Sequence, residues 1–493
     1  MTITSNIYPN IVAWVTLTTY SVGNRCSNGG NAYEVTTGGL SGVTGPTGTG
    51  SSISDGTVTW KYLSAVDYTS LAAWITGMGT ISAPNVGQIW KNDALSNTAV
   101  NASSTATINN AGVSSTNTIT LTTAPGESII DYLAANPSAS YAYDATNGVA
   151  FTNNQNYTTH NSVNLSSQWV NASKIQFENT GSARAIESQN ANQLIDSLII
   201  RAALIGNDPL DIHTGSNATN CLVYCNGVGT ASAIGMTGTA QVINCTIART
   251  SNNSAAGTGF NCSFPTGGSL QNCACFGFTT PNSGTPTNAD HNGTDQASIG
   301  GTSNQTSLTY ANQFNATGAS PDFRLKSGAG LIDNGNNSVA PGADALGTTR
   351  PQNTTVDIGS IEFIFSGATT LTLALVAWAW NKPTFSLSTQ NALSPKTWAW
   401  NKQPISLAFQ NALATKAWNW AKQSVSFAFV NVLTSKTWNW VNQAITLIGG
   451  ATTLQLAQAT WRWVNQAIIV SGGGIVSGAI LAATNWIRRR RRS

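Results

Sequence analysis

Asp208-Pro209-Leu210-Asp211-Ile212-His213 is the densest run of proton-moving side chains in this 493-residue sequence. Glu187 and Asp196 precede it, and Glu187 lies 24 residues before Asp211. Two carboxyl groups held roughly 5–10 Å apart can split a glycosidic bond, one as acid and the other as base or nucleophile. Lyase chemistry would need a base instead, often beside carboxylate-held calcium. Glu187 can stand beside Asp211 only if the chain returns to the same place every 24 residues. Asn207-Asp208-Pro209 is equally an ordinary turn opening, so these acids have a structural use as well. The three histidines, His160, His213 and His291, show no metal-ligand spacing. No phosphate loop, Ser-His-Asp motif or dinucleotide fingerprint is present. The balance is against an enzyme, with Glu187 and Asp211 as weak catalytic candidates and no metal or cofactor expected.

The chain does carry that interval. Ser173-Lys174-Ile175-Gln176, Ser197-Leu198-Ile199-Ile200, Cys221-Leu222-Val223-Tyr224 and Cys245-Thr246-Ile247-Ala248 align at a spacing of 24, and Cys273-Ala274-Cys275-Phe276 follows after 28. A fixed period in the twenties with one short β run per copy marks a solenoid. The leucine and asparagine pattern of leucine-rich repeats is missing, so a parallel β-helix is expected over residues 80–365. Alternate strand residues share a face. Ser173, Ser197, Cys221, Cys245 and Cys273 are therefore expected in one inward column, with Ile175, Ile199, Val223, Ile247 and Cys275 in the next. Asp196, Asn220, Asn244 and Asn272 would sit at the turn into the strand. The cysteines read as buried free thiols, since seven is an odd number and no Cys-x-x-Cys spacing occurs.

Composition agrees with an all-β chain. Only 8% of residues are charged, against about 25% in ordinary soluble domains, and polarity comes from Asn, Thr, Ser and Gly, which suit turns and β-structure. The net charge of +3 hides an acidic body and a basic tail. All 19 acidic residues lie between Glu34 and Glu362, and from Phe363 onward there is none. The two parts are expected to face different surroundings. Met1–Trp14 has no secretory pattern, which predicts synthesis in the cytoplasm without a targeting step. The apolar stretch 474–487 is too short for a membrane-spanning helix.

Residues 1–79 read as a small β module with strands at Ile11–Trp14, Ala32–Val35 and Thr57–Tyr62. Residues 366–493 carry five Trp-x-Trp pairs: Trp378/Trp380, Trp398/Trp400, Trp418/Trp420, Trp438/Trp440 and Trp461/Trp463. Each unit reads as strand, polar turn, strand, giving a meander of β-hairpins. Its aromatic face and open edges would need closure or association. The strands are shorter than a membrane barrel requires, so no membrane span is expected. The run Arg488, Arg489, Arg490 and on to Arg492 reads as a docking terminus, because no nucleic-acid module accompanies it.

Three resemblances follow from these residues. Thr19-Tyr20-Ser21-Val22-Gly23, Ala32-Tyr33-Glu34-Val35 and Asp55-Gly56-Thr57-Val58-Thr59-Trp60 resemble a β module recurrent in phage tail and fibre proteins. That likeness implies docking or carbohydrate binding, with Trp14, Tyr20, Tyr33 and Trp60 as candidate glycan-binding rings. Asp322-Phe323-Arg324-Leu325, Gly330-Leu331-Ile332-Asp333-Asn334-Gly335, Asp344, Arg350-Pro351 and Asp357-Ile358-Gly359-Ser360-Ile361-Glu362 resemble the end of β-helix domains of the choice-of-anchor group of bacterial surface proteins. This implies a right-handed parallel β-helix closed by a cap. The Trp repeats resemble those of phage structural proteins. Together the likenesses imply a virion protein (tail spike, tail fibre or head-surface fibre). It would be a homotrimer that contacts other virion proteins and host-surface polysaccharide, with the Trp pairs and terminal arginines for association. A bacterial cell-surface adhesin and a polysaccharide depolymerase are the alternatives.

Overall fold

The computed structural model describes residues 1–364 except 92–99, 102–104, 154–161, 204–205, 228, 230, 251–256 and 265–266, and beyond 364 the backbone of nine strands. Met1–Phe363 and Ile364–Ser493 are separate compact units. The described residues are mostly β, with two α-helices, Leu71–Met78 and Ile129–Ala135. No helix among them is long and apolar enough to cross a membrane.

Three long parallel sheets build the first unit. The first has nine strands, from Ile3–Ile7 and Asn85–Ile89 to Asn288–Asp290. The second has seven, from Ala106–Ile108 to Thr280–Gly284, and the third has eight, from Val100–Asn101 to Gly293–Thr294. From Ala106 to Asp290 the chain visits the sheets in rotation, so each strand pairs with the one three strands earlier. Parallel pairing suits short β-branched runs that are buried, because like side chains then stack on like.

The register differs by one residue from the 24-residue alignment in the first circuits. Ser173 is paired with Asp196, and Gln176 with Ile199, a step of 23. The next step, Ile199 to Leu222, is again 23, and only Leu222 to Thr246 is 24. The inward file is therefore Ile175, Leu198, Cys221, Cys245 and Cys273, all fully buried, with carbonyls that accept from the next circuit's strand. Ser173 and Ser197 lie outside it: Ser173 ends a first-sheet strand, and Ser197 sits at the corner. In the neighbouring file Phe177, Ile200, Val223, Ile247 and Cys275 stand in register. Burial drives the choice, since Leu198 gains more from a dry interior than a serine hydroxyl does.

The corner between the first and third sheets repeats a left-handed residue on five successive circuits. Lys174, Ser197, Asn220, Asn244 and Asn272 have φ of 59°, 54°, 55°, 50° and 55°. Asparagine tolerates that conformation best. Asp196 does not belong to this column; it lies in the strand Leu194–Asp196. The buried Asn244 side chain donates to the carbonyls of Asp357 (3.1 Å) and Gly359 (3.2 Å), and accepts from Asn272 (3.1 Å). The closing segment thus fastens to the asparagine corner. Arg350 completes the lock, reaching Glu362 at 3.1 Å and Asn220 Oδ1 at 2.7 Å with both ion-pair partners 1% exposed. This segment and helix Ile129–Ala135 cover the outer face of the third sheet, and the strand Leu222–Cys225 is accordingly buried at all four positions. All seven cysteines are buried and free.

Residues 1–79 do not stand apart. Ile3–Ile7 pairs in parallel with Asn85–Ile89, and helix Leu71–Met78, capped by Ser70, lays Trp74 on the bare backbone of Gly87 and into the main core. Between them a four-stranded antiparallel sheet, Arg25–Asn28, Asn31–Thr37, Val58–Ala65 and Ile53–Asp55, forms an excursion. Ile11–Trp14 is not a strand of it.

The second unit corrects the hairpin expectation. Phe385–Thr389, Ile405–Phe409, Val425–Phe429, Ile445–Gly449 and Ile468–Ser471 form one parallel sheet, and Ala399–Asn401, Trp418–Ala421, Thr437–Val441 and Thr460–Arg462 another. Trp400 pairs with Trp420, Trp420 with Trp440, and Trp418 with Trp438, which pairs in turn with Trp461. Consecutive strands go to different sheets. In-register stacking of a repeat sets equal residues side by side, whereas a hairpin would oppose a Trp strand to an unlike one.

Candidate functional site

The second sheet carries a row of register positions, one per strand and polar at all but the glycine: Thr107, Asn164, Glu187, Asp211, Gly235, Asn261 and Ser283. Glu187 is thus directly beside Asp211. Parallel strands repeat every ~4.8 Å, and both carboxylates are held on stiff strands with apolar inward neighbours, Ile186 and Leu210 for example.

Counter-charge gathers around the pair. Arg184 reaches Asp211 Oδ2 at 2.9 Å and Glu187 Oε1 at 3.4 Å. His213 Nε2 lies 3.3 Å from Asp211 Oδ2 and 3.6 Å from Glu187 Oε1. The hydrogen bond to Asp211 raises the His213 pKa, against the opposing effect of burial. Glu187 Oε2 accepts from Gln189 (2.9 Å) and Asn164 (3.4 Å). Ligand atoms of Glu187, Asp211 and His213 lie within 4.8 Å of one another, a spacing that a metal ion would accept. Arg184 already supplies the positive charge there.

A third carboxylate joins from the turn before the strand. Asp208 Oδ1 accepts from the Ser232 backbone N–H (3.2 Å), and Oδ2 from Asn261 Nδ2 (3.4 Å). Burial, reinforced by the Asp211 charge, pushes its pKa up to about 6. Gly235 sits between the two aspartates: a Cβ there would lie 2.5 Å from Asp208 Oδ2 and 2.8 Å from Asp211 Oδ1. Only a glycine fits there, because the two carboxylate oxygens already occupy the space a side chain would take. Arg184 stands 24 residues before Asp208, the same interval as Glu187 to Asp211, but the sequence reading did not include Arg184.

The other sequence candidates are placed differently. Asp196, on the first sheet, accepts from Thr219 Oγ1 at 2.5 Å and from Asn220 at 3.1 Å, away from this row. Tyr33 and Trp60 are fully buried and Tyr20 is 9% exposed, all in one small core where Tyr20 meets Trp60 edge-on at 4.9 Å. Buried rings offer no face to a sugar, so these three form no binding platform. Trp14 is half-buried and donates from Nε1 to Asp55 at 2.9 Å. Trp378, Trp380, Trp398, Trp463, Arg488, Arg489 and Arg490 lie outside the described residues. Two clefts of about 610 and 540 Å³ flank helix Ile129–Ala135, but their acids are engaged: Asp131 with Lys174, Asp144 with the Thr146 and Asn147 backbone.

Compared with known proteins, the chain matches no family model, no curated protein and no solved structure.

Proposed function

We propose that the first unit is a right-handed parallel β-helix and that the chain is a bacteriophage virion protein, a tail spike, tail fibre or head-surface fibre that attaches to host-surface polysaccharide. The observation that carries this reading is the rotation of consecutive strands among three parallel sheets. Such a rotation winds the chain about an apolar interior, and parallel crossovers are right-handed in about 98% of cases. The result is a stiff rod with a polar exterior and few charges, suited to project from a particle. The motif residues Arg350, Asp357 and Glu362 support the likeness to choice-of-anchor domains, since they close the third sheet as a cap would. The acid-free second unit, with its stacked Trp strands, fits association of copies as a homotrimer or docking on an acidic lattice.

Mass spectrometry of purified particles tests the assignment, together with the sedimentation mass of the isolated protein. The chain is expected in particles at a stoichiometry divisible by three. Its absence from them, or a processed form on intact bacterial cells, would overturn the reading.

A further inference from the structure

We propose that an apolar ribbon near the amino terminus, where residues 11–18 lie along residues 40–46, is a contact face for a second copy of this chain. The preceding reading gave association to the Trp strands of the second unit; this contact belongs to the first unit and does not rest on them. Ten large apolar residues are exposed among the described residues, and eight of them lie between Met1 and Val43. Five of these, Val12, Val15, Leu17, Leu40 and Val43, belong to the ribbon and are 48–73% exposed. At those exposures they present about 500 Å² of surface, as much as the largest apolar patch on a typical monomer. That is more than half of the ~800 Å² per partner buried in a standard interface.

The ribbon is held in place, so the face exists before a partner arrives. The Leu17 N–H donates to the Gly42 carbonyl (3.2 Å), Thr16 Oγ1 to the same carbonyl (2.9 Å) and Ser41 Oγ to the Val15 carbonyl (3.0 Å). Asp55, itself buried, accepts from Trp14 Nε1 at 2.9 Å and from the Gly42 N–H at 2.8 Å. The Trp14 ring closes on Gly45, where a Cβ would lie 2.9 Å from its Cδ2. A face fixed in this way loses little conformational freedom on binding. Leu17 has φ of 50°, a left-handed turn that glycine or asparagine holds with less strain. At 63% exposure its side chain gains little burial within its own chain. A leucine that strains the backbone and stands in water is placed for a contact outside the chain.

Charge selects the occupant. From Met1 to Trp60 the charged side chains are Arg25, Glu34 and Asp55. Arg25 and Asp55 are buried, and Arg25 pairs with Glu34 (2.7 Å) and Glu127 (2.8 Å), while Glu34 also holds Lys61 (2.7 Å). The ribbon therefore offers no free charge to an acidic or basic partner. A symmetric contact brings each residue close to its own equivalent, and an exposed charge there would meet its like at a cost. Between the apolar residues the exposed positions include Thr16, Thr19 and Thr44, whose hydroxyls both donate and accept. Such a surface is complementary to itself.

The test reads self-contact in the full chain. All seven cysteines are buried, so Leu17→Cys adds the one exposed thiol. A short bis-maleimide should join two Leu17→Cys chains into a covalent dimer under native conditions, and should leave Ala297→Cys, an exposed site elsewhere in the first unit, as single chains. Leu17→Asn combined with Val43→Asn should weaken self-association at least about tenfold by sedimentation equilibrium. The urea midpoint of thiol labelling should hold or rise in that variant, because asparagine relieves the turn. No cross-link at Leu17→Cys, or unchanged mass and self-affinity in the double variant, overturns the proposal. Cross-linking of Leu17→Cys only to a different protein in purified particles overturns it as well, in favour of an unlike partner. A chain absent from particles that cross-links to itself keeps this inference and removes the virion reading; a particle-borne chain without that cross-link does the reverse.

Discussion

Replacing Leu198 by alanine separates the two registers sharply. Leu198 is fully buried between Ile175 and Cys221 in the inward file. Truncation removes three buried carbons and leaves a cavity that strand neighbours on both sides prevent from closing, a loss of about 3–5 kcal/mol. Ser197, one residue earlier, is 4% exposed, but its hydroxyl only donates to Asp196 at 2.8 Å, so Ser197→Ala should cost about 1 kcal/mol. Ser197→Gly should stay within about 1 kcal/mol of the parent, because relief at φ 54° offsets the lost hydrogen bond. All seven cysteines lie between Cys26 and Cys275 and are buried, so urea-dependent thiol labelling reports on the first unit alone. The midpoint should fall steeply for Leu198→Ala at unchanged slope and barely move for the two serine variants. Equal losses for Ser197→Ala and Leu198→Ala would refute the register and the winding built on it.

Other perturbations reach different parts of the fold. Asn244→Ala deletes two buried donor bonds to the closing segment and one acceptor, and should cost about 2–4 kcal/mol in the same titration; a loss below about 1 kcal/mol would show that the corner does not hold the cap. Burial, outweighing bonds from the Asp333 and Phe363 N–H groups, raises the Asp357 pKa to about 7. Its folded pKa exceeds the unfolded one, so its contribution is full below about pH 4 and is lost as pH rises towards 7. Asp357→Asn should therefore flatten the fall of stability between pH 4 and 7, and an unchanged pH profile would count against this. In the second unit Asn419 and Asn439 are register partners, so Asn419→Cys with Asn439→Cys should cross-link on oxidation, seen by mass spectrometry. In a hairpin meander they would be two strands apart, beyond disulfide reach.

Much of the body was legible before the structure. Spacing near 24 announced a repeating β chain, and it set Glu187 beside Asp211 because they hold the same place on successive circuits. Asn220, Asn244 and Asn272 marked the corner because a left-handed turn selects asparagine. The one-residue slip at Ser197 was not legible, since a period read from similar letters cannot see a 23-residue circuit followed by a longer one. The aromatic residues of the first 79 misled for a related reason: Tyr33 and Trp60 look the same in a string whether they face a sugar or a core. For the Trp repeats, spacing gave the strands and left their partners open, and parallel stacking prevailed over hairpins.

By itself, then, the sequence determined which segments are strands, that they recur, and where charge and its absence lie, because short-range pattern and composition encode those properties directly. Tertiary structure alone decided which strand pairs with which, which rings are buried, that Arg184 reaches both Glu187 and Asp211, and that Asp208 and Asp211 close over the bare backbone of Gly235. Register is a cooperative choice among many near-equal pairings, settled by burial of the whole file of inward side chains. No local stretch of residues carries it.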